Sequence, residues 1–88
     1  MPKCEKLLER ARNSPENITF HELRQLAECF GFTRSRTKGS HHIYKLPGYP
    51  EIVNIQEGRN GKAKPYQVKQ VVDHIDRLQD RTGDHGSH

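Results

Sequence analysis

The strongest constraint on the fold is a change of period at Gly31. Before it, Leu23, Leu26, Ala27 and Phe30 recur at i, i+3, i+4 and i+7, the apolar face of one helix. After it, the stretch from Phe32 to Thr37 alternates and carries the β-branched threonines that suit a strand. The helix also has a marked beginning. Thr19, Phe20, His21 and Glu22 fit a capping box, in which the Thr19 hydroxyl accepts from the Glu22 amide and Glu22 reaches back. Ile18 and Leu23 stand at the two positions of a hydrophobic staple. Gly31 falls just past the last turn, where a left-handed backbone costs least for glycine. The spacing therefore predicts a helix over 19–30 that hands the chain directly to a strand.

Similar reasoning places the remaining elements. From Lys3 to Arg12, Cys4, Leu7, Leu8 and Ala11 form a narrow helical stripe, ended by Asn13, Ser14 and Pro15. After the first strand, Lys38-Gly39 is a turn, Ser40–Leu46 reads as a second strand, and Pro47-Gly48 ends it. Glu51–Gln56 reads as a third strand, closed by Gly58 and the Asn60-Gly61 pair. Pro65 opens a last helix, with Val68, Val71, Val72, Ile75 and Leu78 on one face to about Leu78. Residues 81–88 have no apolar side chain and read as a disordered tail. The order helix, helix, three antiparallel strands, helix predicts an α+β domain of two layers spanning 1–80, its small sheet packed on the helices. Periodicity does not say which side of the middle strand is buried: His41, Ile43 and Lys45 share one side, and His42, Tyr44 and Leu46 the other.

At 88 residues the chain holds one small core, which excludes multidomain enzymes and large cofactor folds. No apolar run approaches the ~18 residues of a membrane span, and the N-terminus lacks the apolar stretch of a signal peptide. A soluble, cytoplasmic protein is expected. In that compartment Cys4 and Cys29, both at apolar helical positions, are expected to be reduced core residues. Neither shows zinc-ligand spacing, and no metal or other cofactor is expected.

The net charge of +4 is concentrated in one segment. Residues 33–69 carry eight basic groups against two acids, a balance of +6, whereas residues 1–32 are neutral and 70–88 acidic. Such a field attracts polyanions, of which nucleic acid is the commonest, although a solvated surface needed only for solubility has the same composition. Among the six histidines, His21, His74, His85 and His88 read as solvated surface or tail residues. His41 and His42 lie inside the basic segment, after the turn that ends in Ser40. An imidazole both takes and gives protons near neutral pH. RNA hydrolysis needs a base for the 2′-hydroxyl, an acid for the leaving oxygen and a cation for the charge on phosphorus. Neighbouring strand residues point to opposite faces, so the two rings do not form one chelate. By spacing alone, the commoner outcome for such a pair is structural: one ring packed, one exposed and neither catalytic.

The run Gly39-Ser40-His41-His42-Ile43-Tyr44-Lys45, followed by Pro47-Gly48, resembles the signature hairpin of HicA-like toxins. These are small mRNA interferases of type II toxin–antitoxin modules, with a fold similar to a double-stranded-RNA-binding domain. The resemblance covers residues 19 to about 78 and leaves the helix near 3–12 as an N-terminal addition. It implies a catalytic histidine at His41, with His42 as the alternative, and RNA-backbone contacts from Lys38, Ser40, Lys45, Arg59, Lys62 and Lys64. It also implies mRNA as substrate and a HicB-like antitoxin that covers the site. Three features depart from the pattern: Leu46 replaces a second histidine found in many members, Pro65-Tyr66-Gln67-Val68 replaces the usual start of the last helix, and the N-terminal helix is extra. With Leu46 in that place, Lys45, Tyr44 or water is left as general acid. A non-catalytic RNA-binding module of the same fold and a basic protein-interaction module are the alternative functions.

Overall fold

Reciprocal capping forms at Thr19, where the Glu22 amide donates to Thr19 Oγ1 (3.0 Å) and the Thr19 amide donates to Glu22 Oε1 (3.0 Å). The same helix ends at Gly31 with φ of 99°. There the Phe32 amide reaches back to the Ala27 carbonyl (3.1 Å) and the Gly31 amide to the Glu28 carbonyl (3.1 Å), which satisfies carbonyls the helix end would otherwise leave open. A side chain at Gly31 would need this positive φ and would also bring its Cβ within 2.9 Å of Leu46 Cδ1.

The structure, a computed structural model, describes residues 3–39 and 41–82, with side chains to Gln79. In chain order it contains α1 (Lys3–Asn13), α2 (Phe20–Cys29), β1 (Thr33–Lys38), β2 (His41–Lys45), β3 (Val53–Gln56) and α3 (Pro65–Thr82). Short 3₁₀ turns stand at Pro15–Asn17 and Arg59–Gly61. The sheet is antiparallel with order β1-β2-β3. This is the expected α+β architecture, with a three-stranded antiparallel sheet against helices in a double-stranded-RNA-binding-domain-like arrangement. Among the described residues no helix is long and apolar enough to cross a membrane.

Burial settles the orientation of β2. Tyr44, Val53 and Ile55 are buried with Leu23, Leu26, Val68, Val71 and Ile75, so His42, Tyr44 and Leu46 face the helices. His41, Ile43 and Lys45 face away from them. Strand β1 is exposed throughout. A bulge between Arg34 and Arg36 shifts its register: Arg34 pairs with Tyr44 on the helix side and Arg36 with Ile43 on the open side. In a regular strand those two arginines would share a face; the extra residue, Ser35, separates them.

Two expectations are corrected. Helix α3 continues past Leu78 to Thr82, because neither Pro nor Gly interrupts the chain before Gly83; the assigned tail thus loses its first two residues to the helix. The rest of that segment, with His85 and His88, lies outside the described residues, as does Ser40. The cysteines are not reduced core residues. Cys4 and Cys29 form a disulfide across a Cα separation of 5.8 Å, with Cys29 exposed and Cys4 half-buried. Helix α1 runs antiparallel to α2, which brings Cys4 at the start of one beside Cys29 at the end of the other and Arg10 beside Glu22. Helical spacing placed both sulfurs near apolar stripes but did not show that each stands at the rim.

Candidate active site

His41 opens β2 on the uncovered face of the sheet. Its direct neighbour across β1 is Lys38 and across β3 is Gln56. The strands place Thr33, Arg36 and Lys38 from β1, His41, Ile43 and Lys45 from β2, and Asn54 and Gln56 from β3 on this side. The three strands contain no carboxylate. His41 Nδ1 lies 3.2 Å from Asn54 Oδ1. With the amide oxygen assigned to that side, the bond requires the proton on Nδ1 and leaves the lone pair of the neutral ring on Nε2. Lys64 joins from the loop after β3, its Nζ donating to Gln56 Oε1 at 3.0 Å.

His42 meets different surroundings on the helix side. Its ring packs on Phe20 with centroids 4.9 Å apart, and Nδ1 lies 3.4 Å from Thr37 Oγ1. Burial lowers its pKa from the ordinary imidazole value, and the nearby charges of Arg24 and Arg34 lower it further, with Glu57 opposing. Arg24 is itself fixed: its Nε donates to Tyr44 Oη at 2.9 Å, and its guanidinium lies 5.8 Å from the centre of the Phe20 ring. Tyr44 Oη donates in turn to Glu28 Oε2 at 3.4 Å. The Tyr44 hydroxyl is therefore engaged on the helix side of a fully buried residue, opposite His41, and cannot act as general acid to that imidazole.

The predicted basic residues fall into two groups. Lys38, Lys45 and Lys64 surround the open face near His41. Arg59 and Lys62 instead line a hollow of about 690 Å³ beside the β3–α3 loop, together with Lys64, Glu16 and Glu57. Lys62 bridges to Thr19, which ties that loop to the start of α2. Asn60 takes a positive φ of 57° in the turn that presents Arg59 and Lys62.

Four contributors escaped the sequence reading: Arg36, Asn54, Arg24 and Arg34. The polar–apolar alternation of Val53, Asn54, Ile55 and Gln56 carried the signal for Asn54. Nothing in the sequence marked the bulge that separates Arg34 from Arg36. His74 also differs from its expected role as a solvated residue. It shares a 2.7 Å hydrogen bond with Tyr49 Oη, lies 3.6 Å from Glu51 and is 13% exposed, and so fastens the β2–β3 loop to α3.

The match to known proteins rests on one family model. The model for the HicA toxin of bacterial toxin–antitoxin systems matches residues 20–76, from the first residue of α2 into the fourth turn of α3. Helix α1, with the disulfide-bonded Cys4, precedes the matched region. No curated protein and no solved structure matches the chain. The matched segment contains the whole sheet, α2 and most of α3, and accounts for more than half of the chain: the protein belongs to the HicA toxin family of bacterial toxin–antitoxin systems.

Proposed function

We propose that this toxin is a metal-independent mRNA endoribonuclease with His41 as its acid–base residue. The observation that carries the reading is the placement of His41 on an uncovered, acid-free sheet face, its Nδ1 held by Asn54 and Lys38 directly across the strand pair. In the reaction, His41 Nε2 takes the proton of a 2′-hydroxyl. That oxygen attacks the adjacent phosphorus, and the bond from phosphorus to the 5′-oxygen breaks. Lys38, Arg36 and Lys64 supply positive charge for the pentavalent oxyanion. A proton from Lys45 or from water completes the leaving alcohol. The nucleophile belongs to the substrate, so the chemistry needs no metal-bound water. A HicB-like antitoxin would silence the enzyme by covering this face. Action on mRNA would fit a cytoplasmic toxin.

A second reading of the same function puts His42 in the catalytic role. Its support is the pKa lowered by burial and by Arg24 and Arg34, which keeps the ring unprotonated, the form in which it can accept a proton. The rings lie on opposite faces, so one phosphate is served by one of them.

The test is cleavage of an RNA oligonucleotide by purified protein in excess chelator, with the product ends identified by mass spectrometry. The expected result is a 2′,3′-cyclic phosphate end and complete resistance of an oligonucleotide with a 2′-deoxy sugar at the cut. Cleavage of the deoxy substrate, or activity abolished by the chelator, would overturn the mechanism. Binding without cleavage would leave a non-catalytic RNA-binding member of the family.

A further inference from the structure

The region of the chain outside the family match carries its own chemistry. Helix α1 buries only Leu8 and Ala11, a small apolar anchor. Its C-terminal half is also held by charge: Arg10 pairs with Glu22, and Arg12 donates to both carboxylate oxygens of Asp76 at 2.7 and 2.8 Å. Its N-terminal end is held covalently by Cys4–Cys29. Cys29 is exposed and lines a hollow of about 310 Å³ with Lys3, Leu7, Gln25 and Glu28. Lys6 and Arg10 line an adjoining hollow with Lys3. An accessible sulfur with a lysine in its hollow and two more cations in the next is open to attack by an anionic thiolate, the step that thiol–disulfide exchange requires.

We propose that Cys4–Cys29 is a reversible redox couple, opened by a small anionic thiol of the glutathione type, and that opening it frees the first turns of α1 from the end of α2. The attacking thiolate enters beside Lys3 and bonds to Sγ of Cys29. The Cys29–Cys4 bond breaks, and Cys4 leaves as a thiolate that takes a proton from water. A second small thiolate attacks the mixed disulfide, departs as the oxidised small-molecule disulfide and leaves Cys29 as a thiol. Two electrons pass from two small thiols to the protein. Cys29 is the entry sulfur because Cys4 is half-buried. The second anchor, Arg12 with Asp76, keeps the far end of α1 docked. This couple is independent of the ribonuclease reading.

The test equilibrates the native full-length chain in buffers of reduced and oxidised glutathione spanning the cytosolic range, traps thiols with a maleimide and reads the oxidised fraction by mass. Hydrogen exchange is followed on both forms. The expected result is a smooth two-electron transition without denaturant. Exchange should be at least tenfold faster in the reduced form at the amides of Leu7, Leu8 and Glu9, whose helical acceptors lie on residues 3–5, with sheet amides unchanged. As single variants, Cys4→Ser should accept glutathione at Cys29 faster than Cys29→Ser does at Cys4. A disulfide that resists every buffer until the chain is unfolded, thiols that stay free in oxidised glutathione, or unchanged exchange in α1 would each overturn the proposal. Equal glutathionylation of the two variants would overturn the entry at Cys29.

Discussion

On one side of β2, His41 stands across from Lys38, on the face that also carries Arg36 and Lys45, with its ring oriented by Asn54; one residue later, on the other side, His42 lies against Phe20 with Arg24 and Arg34 nearby. The first imidazole is left on the uncovered face, where the proposed RNA substrate would meet it. The second is built into the junction between hairpin and helix, where its neutral form suits the packing. Two residues adjacent in the chain and identical in chemistry thus meet opposite surroundings, an open sheet face and a packed helix junction, through strand alternation alone.

The sharpest way to break that division is substitution of each ring. His41→Ala should lower the RNA cleavage rate by ~10²–10⁴-fold, the usual worth of a positioned acid–base group, with the melting temperature nearly unchanged. His42→Ala should keep cleavage within about tenfold and lose stability by opening the contact with Phe20. The reverse pattern in kinetics and melting would move the chemistry to the helix side. Next in size is Tyr44→Phe, which strands the part-buried Arg24 Nε. It should cost about 1–3 kcal/mol in urea denaturation while the cleavage rate per folded molecule stays constant. A loss of rate at unchanged stability would restore Tyr44 as a proton donor.

Replacing Lys38 and Lys45 together by Gln should flatten the slope of log affinity against log salt by about 1.4 for single-stranded RNA, two phosphate contacts' worth. The same change at Arg59 and Lys62 compares the loop hollow with the sheet face. A larger effect there would place the RNA backbone across the start of α3. The smallest effect is on pH dependence. The folded pKa of His42 lies below its unfolded value near 6.5, so as the pH falls through 6.5 the unfolded chain takes up the proton first. Stability should therefore decline until the folded ring also protonates and then level off, and His42→Gln should remove that decline from the thermal melts. A wild type whose melting is flat in this interval would contradict the packed, neutral role.

Much of this division lay beyond the sequence. The helix from Thr19 to Gly31 was legible because capping, staple and terminating glycine are local chemistry, and each formed. Element order followed from period and punctuation. The facing of β2 was not legible, since His41-Ile43-Lys45 and His42-Tyr44-Leu46 each mix polar and apolar groups and only the helices above decide between them. Arg34 and Arg36 were separated by a bulge that no residue type announces. The disulfide was missed because an argument from compartment says nothing about distance, and the antiparallel course of α1 along α2 is a tertiary fact. The basic residues were visible as a segment, but their division between sheet face and loop depended on how Lys62 is tied to Thr19.

The buried amide of Gln67 reaches from α3 to the outer margin of β3, where its Oε1 accepts the Gln56 backbone N–H at 2.8 Å. A neighbouring chain seeking to extend the sheet on that side would meet a donor already occupied. Growth of the sheet is thereby steered to the opposite margin, where Arg34, Arg36 and Lys38 would set like charges of two identical copies against each other. One glutamine and three cations thus guard a small protein against stacking with itself, while the arginine- and lysine-bearing margin stays accessible to a partner of opposite sign.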